Sequence, residues 1–503
     1  MDEIAKIQEL RFGEYSAIQE FRRDPDYFET TFLDPESFSM DRIGNSSDYI
    51  IVGRKGAGKS TCCIAMGVKK EREGYTHSLL SFNDDLKRED LSDLARSQTI
   101  ELADLAGLSG LYESISELYD FREVWKRKVI FAIAQAISTA GAEGIFSQFC
   151  SDNSSYSEKL SDGIGKNLLV DAIISPAVRE KVATLFNNLT NSNGRLPLAS
   201  FNAIALKLLA SEKDSPKHYF FFDELNISTI QTTSDEYDLK LALVRDIIRA
   251  ANELNEFFLL NRIDCHVVCS LRPEVRDQLN RLDPELSKIL DSNFVNLSWG
   301  GESRVNHPLL EILHKKTNEG VPDGKRLSPG YFPKTVASMG RGEAVDTYLY
   351  VLNLSWNRPR DIIRMLKSYQ KTNGATTSLF SGDITKFLKE YSRVSAVECL
   401  AELSVKYGEE IVSRIRSRIT RRYYSSVDEL QAEFEILENR LRVDELIDDL
   451  FYAGVILNYD RVDGKTVFYA SYREDDRLDP DLQIMVHRGL WSDFHLAYRK
   501  YDN

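Results

Sequence analysis

The chain has 503 residues, too many for one hydrophobic core, so about three domains are expected. Its 42% hydrophobic and 28% charged residues are the composition of a globular protein. A net charge of −14, with a pI near 5.2, argues against a dedicated sequence-independent nucleic-acid binder, which needs positive surface to release counterions. Six cysteines without a CxxC pair read as reduced thiols, and Met1-Asp2-Glu3-Ile4 lacks the basic and apolar character of a leader. Both point to a cytoplasmic protein. The longest apolar span, Val129–Ala142, is short for a bilayer and contains Gln135, so no membrane segment is expected.

Residues 1–48 carry short helical patterns with Phe12, Tyr15, Phe21, Tyr27, Phe28 and Phe32, which suggests an N-terminal helical collar; Asp34-Pro35-Glu36-Ser37 is a helix start or turn. An apolar strand from Tyr49 then runs into Gly53-Arg54-Lys55-Gly56-Ala57-Gly58-Lys59-Ser60, a complete GxxxxGK[ST] phosphate loop, and Thr61 continues into a helix. The glycines let successive backbone N–H groups turn toward one anion, and the helix N-terminus behind them adds its positive dipole end. Lys59 is placed to reach β- and γ-phosphates, and Ser60 to ligate Mg²⁺, a hard cation that takes oxygen ligands. ATP with Mg²⁺ is the expected cofactor pair. A second strand is expected over 77–82.

From about 84 to 215 the pattern is helical and interrupts the strands, so it reads as an insertion within an ATPase core spanning 49–300. Its clearest stripe (Tyr112, Ile115, Leu118, Phe121, Val124, Trp125, Val129, Ile130, Ile133, Ile137) is core rather than a cofactor box. The β-prone run His218–Phe222 follows, ending in Asp223 and Glu224. Asp223 can hold Mg²⁺ through water or Ser60, and Glu224 can polarise an attacking water. The next strand, 264–270, carries Ser270 and Arg272 at its tip, where either can touch a γ-phosphate; a cap or an ion pair with Glu274 is the plainer role for Arg272. A fifth strand spans 294–299. The fold class is therefore α/β, a doubly wound parallel five-stranded sheet with the nucleotide at its carboxyl edge.

A helical lid is expected over 301–405. Within it Asn357 or Arg358 can cap a helix that has Pro359 near its first position, which leaves Arg360 to reach phosphate across the lid or to serve only as part of a cap with Asp361. His307 and His314 read as structural. From 406 to 503, helices at Glu409–Tyr424, Ser426–Asn439 and Val443–Ala453 precede a hairpin about Asp463-Gly464, the pattern of a winged helix. Its third helix carries Asp444, Glu445, Asp448 and Asp449 and would repel phosphate. The basic run Arg414–Arg422 reads as a solvated face or an internal partner for the acidic remainder. Ile484–Trp491 reads as a terminal helix.

Taken in order, the loop, Asp223-Glu224, Ser270-Leu271-Arg272, Asn357-Arg358-Pro359-Arg360 and the terminal helices with their hairpin resemble bacterial P-loop ATPases of the AAA-related STAND and origin-recognition-like branch. Proteins with a similar GRKGAGKS loop often lie beside defence genes. The resemblance implies a sensor role for Arg272 and a lid contact for Arg360, although Asn357 stands where that motif often has Gly. The expected function is an ATP-hydrolysing switch, regulatory or antiviral, with a protein partner or self-assembly through the insertion or the winged helix. The alternative is a DNA-associated ATPase of the loader or transposition-regulator kind, using Arg414–Arg422. Arg276, Arg281 and Arg341 are unranked candidates for an arginine finger.

Overall fold

A computed structural model describes residues 3–35, 40–44, 47–82, 121–141, 144–152, 169–170, 196–212, 216–225, 234–300, 307–337, 344–437, 442–462, 465–473 and 478–496. Most of the expected insertion lies outside them, as do Glu36, Ser37, the Asp463-Gly464 turn and Arg341.

Five parallel strands make the central sheet: β1 (Ile50–Val52), β2 (Thr76–Ser81), β3 (His218–Leu225), β4 (Cys265–Leu271) and β5 (Phe294–Asn296), in the order β2-β3-β4-β1-β5. Side chains alternate between the two faces of a strand, and in the central strands β3, β4 and β1 both faces are buried. Ile50, Val52, Phe220, Phe222, Val267 and Cys269 enter one core; Ile51, Tyr219, Phe221 and Val268 enter the other with Cys62, Cys63 and Met66 of α3 (Lys59–Arg72). That is why the strands read as unbroken apolar runs.

The first face is covered by α4 (Arg122–Thr139), α5 (Ile145–Asp152), α6 (Leu198–Ser211) and α7 (Ser234–Asn261). The described part of the aromatic stripe is core: Trp125 is fully buried and meets Phe222 edge-on, with ring centroids 5.7 Å apart. The insertion therefore supplies helices that close the sheet. On the other side, α1 (Ala17–Arg23) and α2 (Pro25–Thr31) lie against α3, where Phe28 packs with Ile64, Ala65 and Val68.

A second core joins α10 (Pro308–Glu319), α11 (Thr347–Leu354), α12 (Pro359–Asn373), α13 (Ile384–Tyr407) and α14 (Glu409–Arg418) to the rest of the C-terminal chain, and it includes Ala5, Ile7, Leu10 and Phe12. Two further helices, α8 (Pro273–Leu282) and α9 (Pro284–Ser292), precede β5; α15 (Val427–Ala432) and α16 (Val443–Tyr452) follow α14.

The C-terminal part differs from the sequence expectation at two places. The first helix ends at Arg418, and Tyr423–Tyr424 is a strand, β6; Gln483–Val486 is another, β9, in place of the helix expected from Ile484. With β7 (Ile456–Val462) and β8 (Lys465–Tyr469) they form an antiparallel sheet ordered β6-β9-β7-β8. Ile484, Met485 and Val486 are apolar enough for either structure. Pairing with β6 and β7 on both sides, and burial of all three side chains, decides for the strand.

Among the described residues no helix is long and apolar enough to cross a membrane, and all six cysteines are free and buried.

Candidate functional site

The carboxyl ends of β1, β3 and β4 meet at one cleft of about 240 Å³. Of the residues expected at a site, Lys55, Gly56, Gly58, Lys59, Ser60, Thr61, Asp223, Glu224, Arg272 and Arg360 line it. Gly53, Arg54 and Ala57 belong to the same loop and do not.

The loop turns through Gly56 (φ 84°) and Gly58 (φ 98°), and Gly58 is also the N-cap of α3. Both need the left-handed region that glycine enters without strain. At Gly56 a Cβ would also stand 3.2 Å from Arg360 Cβ. The loop carbonyls are held in turn: Lys59 Nζ donates to Gly53 O (2.7 Å) and Arg54 O (3.3 Å), Arg358 Nη1 to Lys55 O (3.2 Å), Arg360 N to Gly56 O (3.5 Å) and Trp299 Nε1 to Ala57 O (2.7 Å). Burial, helped by the charge of Arg272 and opposed by Asp223, pulls the Lys59 ammonium down to about 8.

Asp223 and Glu224 sit where β3 breaks register. Phe222 pairs with Cys269, but the next pair is Leu225 with Leu271, so β3 has one residue more than β4 there. Glu224 takes up the irregularity at φ 56°, a strained conformation for a residue with a Cβ. Its Oε2 accepts from Ser81 Oγ at 3.0 Å, across from the tip of β2. Asp223 is fully buried; Oδ1 accepts from Ser270 Oγ, whereas Oδ2 has no hydrogen-bond partner among the described residues. A buried carboxylate oxygen left open at a cleft that Ser60 also lines suits a small hard cation that keeps most of its ligands as water or phosphate.

Arg272 is the N-cap residue of α8 and reaches Glu274 at 3.4 Å, so it occupies the capping position and lines the cleft as well. Arg358 and Arg360, at the start of α12, turn to different partners. Arg358 is turned to the loop and is forked onto Asp361 by Nε (3.0 Å) and Nη2 (2.8 Å). Arg360 faces the cleft and also meets Glu398 at 3.3 Å. Burial, with Arg358 and Arg364 close by, lowers its guanidinium to about 10, which leaves it cationic at neutral pH.

Several contributors were not foreseen. Ser81 becomes relevant only through its register pairing with Asp223, and Trp299, expected in the fifth strand, lies beyond β5 and reaches the loop. The far end of the cleft is walled by Ala17, Ile18, Phe28, Phe32 and Leu33 of the collar and by Ile312 and Ile363 of α10 and α12. The aromatic content of residues 1–48 was the available signal for that wall. Lys316, Glu20 and Thr31 line the same cleft, with Lys316 Nζ buried against Glu20 and Thr31 Oγ1, tying α10 to α1 and α2. The two histidines have structural partners: His307 caps α10, and His314 Nδ1 lies 2.6 Å from the Tyr331 hydroxyl.

No protein-family model matches the chain, and no curated protein matches it. Among solved structures it is similar to the ORC1 protein of Aeropyrum pernix, solved in complex with DNA, with 12% identity, coverage of 91% of this chain and 96% of that one, and a TM-score of 0.35. A likeness that loose carries no functional argument.

Proposed function

We propose that this chain is a Mg²⁺-dependent ATPase of the P-loop kind, with ATP in the cleft at the sheet's carboxyl edge. The observation that carries the reading is the convergence, in one cleft, of the phosphate loop from β1, the Asp223-Glu224 pair from β3 and Arg360 from the lid. The strand order supports it: β4 separates the loop strand from the carboxylate strand, and the residues at the ends of both line the same cleft.

In this reading the N–H groups of 56–61 and Lys59 bind the β- and γ-phosphates, and the apolar slot between collar and lid takes the base. Ser60 and Asp223 would hold Mg²⁺, which supplies charge neutralisation across the phosphates. Glu224 polarises the attacking water as general base, oriented by Ser81. Arg272 and Arg360 offer positive charge where negative charge builds up on the γ-phosphate oxygens. The domain division is a core at 49–300, a lid at 301–405 and a winged-helix unit at 406–503. Nucleotide state moves the last two as a switch, and a regulatory or defence role rests on the resemblance of the GRKGAGKS loop.

Association with DNA has less support. Arg414, Arg416 and Arg421 meet Glu410, Asp493 and Glu433 at 2.7, 2.8 and 2.9 Å, and Arg422 donates to Leu496 O. The test is phosphate release from ATP by the purified chain. Release that requires Mg²⁺ and is lost in Lys59→Ala is the expected result, and wild-type protein that neither binds nor hydrolyses ATP overturns the reading.

A further inference from the structure

The donors that hold the outer side of the phosphate loop come from outside it, and two of them belong to a segment clamped by the C-terminal unit. Arg358 is the centre of this arrangement. Its Nη1 holds Lys55 O, while Nε and Nη2 grip Asp361. Asp361 is fully buried and also accepts from Trp356 N at 2.8 Å. Burial would raise its carboxyl; Arg358 beside it outweighs that and holds it below the ordinary range, so it remains a charged anchor. Asn357 between them stands at φ 51°, donating to Gly300 O at 3.1 Å, so the turn from Trp356 to Arg358 is constrained on both sides.

Trp356 passes into the C-terminal unit. Its indole stacks on His487 with centroids 3.8 Å apart, donates to Gly454 O at 2.8 Å, and fits where a Cβ on Gly454 or Gly489 would stand 2.7 Å from the ring. His487 Nε2 lies 3.2 Å from Ser355 O. A second, independent contact joins the same partners directly: Arg54 Nη1 of the loop donates to Ser471 Oγ at 3.1 Å, and Ser471 is buried while donating to Phe451 O.

We propose that Arg358 is a positioning residue through which the docked C-terminal unit holds the phosphate loop in its anion-binding turn, so that nucleotide release is gated by movement of that unit. This rests on the nucleotide reading of the cleft. When His487, Gly454 and Gly489 leave the Trp356 ring, the turn that aims Arg358 at Lys55 O loses its support, and the loop carbonyl is freed to rotate. A rotated peptide points its N–H away from the anion, which weakens the hold on phosphate.

Two measurements test it. The first is the release rate of an N-methylanthraniloyl-ADP probe with Mg²⁺, and the second is backbone hydrogen exchange of residues 53–60 in nucleotide-free protein. Arg358→Lys removes the fork on Asp361 that aims the side chain at Lys55 O, Gly489→Ala displaces the indole from the far side, and Ser471→Ala removes the direct contact with little change of volume. Arg358→Lys and Gly489→Ala are each expected to speed probe release about tenfold, with a smaller effect for Ser471→Ala. Loop exchange should accelerate in the same order. The double variant Arg358→Lys/Gly489→Ala should release no faster than either single one, because both cut one connection. A lower unfolding midpoint with probe release and loop exchange both within twofold of wild type would show merely structural residues and overturn the proposal. Should Gly489→Ala not fold, Arg358→Lys and Ser471→Ala decide it alone. Wild-type protein that binds no probe defeats the nucleotide reading, and the exchange measurement still decides the linkage between the C-terminal unit and the loop.

Discussion

At the carboxyl edge of the parallel sheet Lys55, Lys59, Arg272 and Arg360 converge on a cleft with Asp223 and Glu224, whereas around α14 Arg414, Arg416, Arg421 and Arg422 each engage a neighbour in their own unit. The second group is denser in the sequence, yet its cations meet carboxylates, a carbonyl and the Trp491 ring, 4.3 Å from the Arg422 guanidinium. The Arg416 and Arg422 contacts dock the C-terminal tail. The first group is spread over the chain and gathered at one cleft: Lys59 is buried and pulled down by that burial, Asp223 Oδ2 has no hydrogen-bond partner among the described residues and Glu224 is strained. Perturbed and strained groups gathered in one cleft mark a candidate site, and a count of arginines does not locate it.

The largest expected effect is at Glu224. Glu224→Gln should lower ATP turnover by about 10²–10⁴ and leave ATP affinity nearly unchanged, because it removes a base and keeps the shape. Turnover equal to wild type would remove Glu224 from its role. Next, Lys59→Ala should raise the Kd for ATP about a hundredfold by equilibrium binding, while Arg414→Ala leaves it unaltered. Equal losses in the two variants would erase the contrast between the regions.

A pH titration of ATP binding sharpens the contrast further. Lys59 titrates at about 8 in the folded protein against 10.5 for an ordinary lysine, and bound polyphosphate favours the ammonium, so binding takes up a proton above pH 8. Kd should rise by up to about tenfold per pH unit there, and Lys59→Arg should flatten the rise. The sign for folding is opposite. Between 8 and 10.5 the unfolded chain binds more protons at this residue, so its contribution to stability improves as pH rises, and below 8 the full burial cost remains. A Kd for ATP that does not change with pH up to 10 would argue that Lys59 does not meet phosphate.

The smallest effect belongs to the basic group. Arg421 pairs with Glu433 at 2.9 Å and with Glu429 near the surface, so Arg421→Ala should lower the unfolding free energy in a denaturant titration by less than about 1 kcal/mol, with ATP affinity unchanged. If that variant instead lost salt-dependent retention on DNA shown by the wild type, the run would be a binding face and the comparison would fail.

The phosphate loop and the Asp223-Glu224 strand were legible because their physics is local. A glycine pattern is needed wherever backbone N–H groups must crowd round one anion, and a strand buried on both faces writes a continuous apolar run. Ser81 was not legible, since its link to Glu224 passes through the pairing of β2 with β3 across the insertion. Residues 483–486 were misread for the same reason: β6 and β7, which turn them into a strand, lie far away in sequence.

By itself the sequence determined the parallel α/β core, the glycine turn after β1 and the carboxylate pair near the end of β3, all consequences of side-chain periodicity and of what glycine alone permits. Only the tertiary structure decided that β4 stands between loop and carboxylates, that the collar and lid wall the far end of the cleft, and that Arg358 turns to the loop while Arg360 turns to the cleft. These depend on strand order and on which buried donor finds which acceptor, and burial leaves few ways to satisfy them.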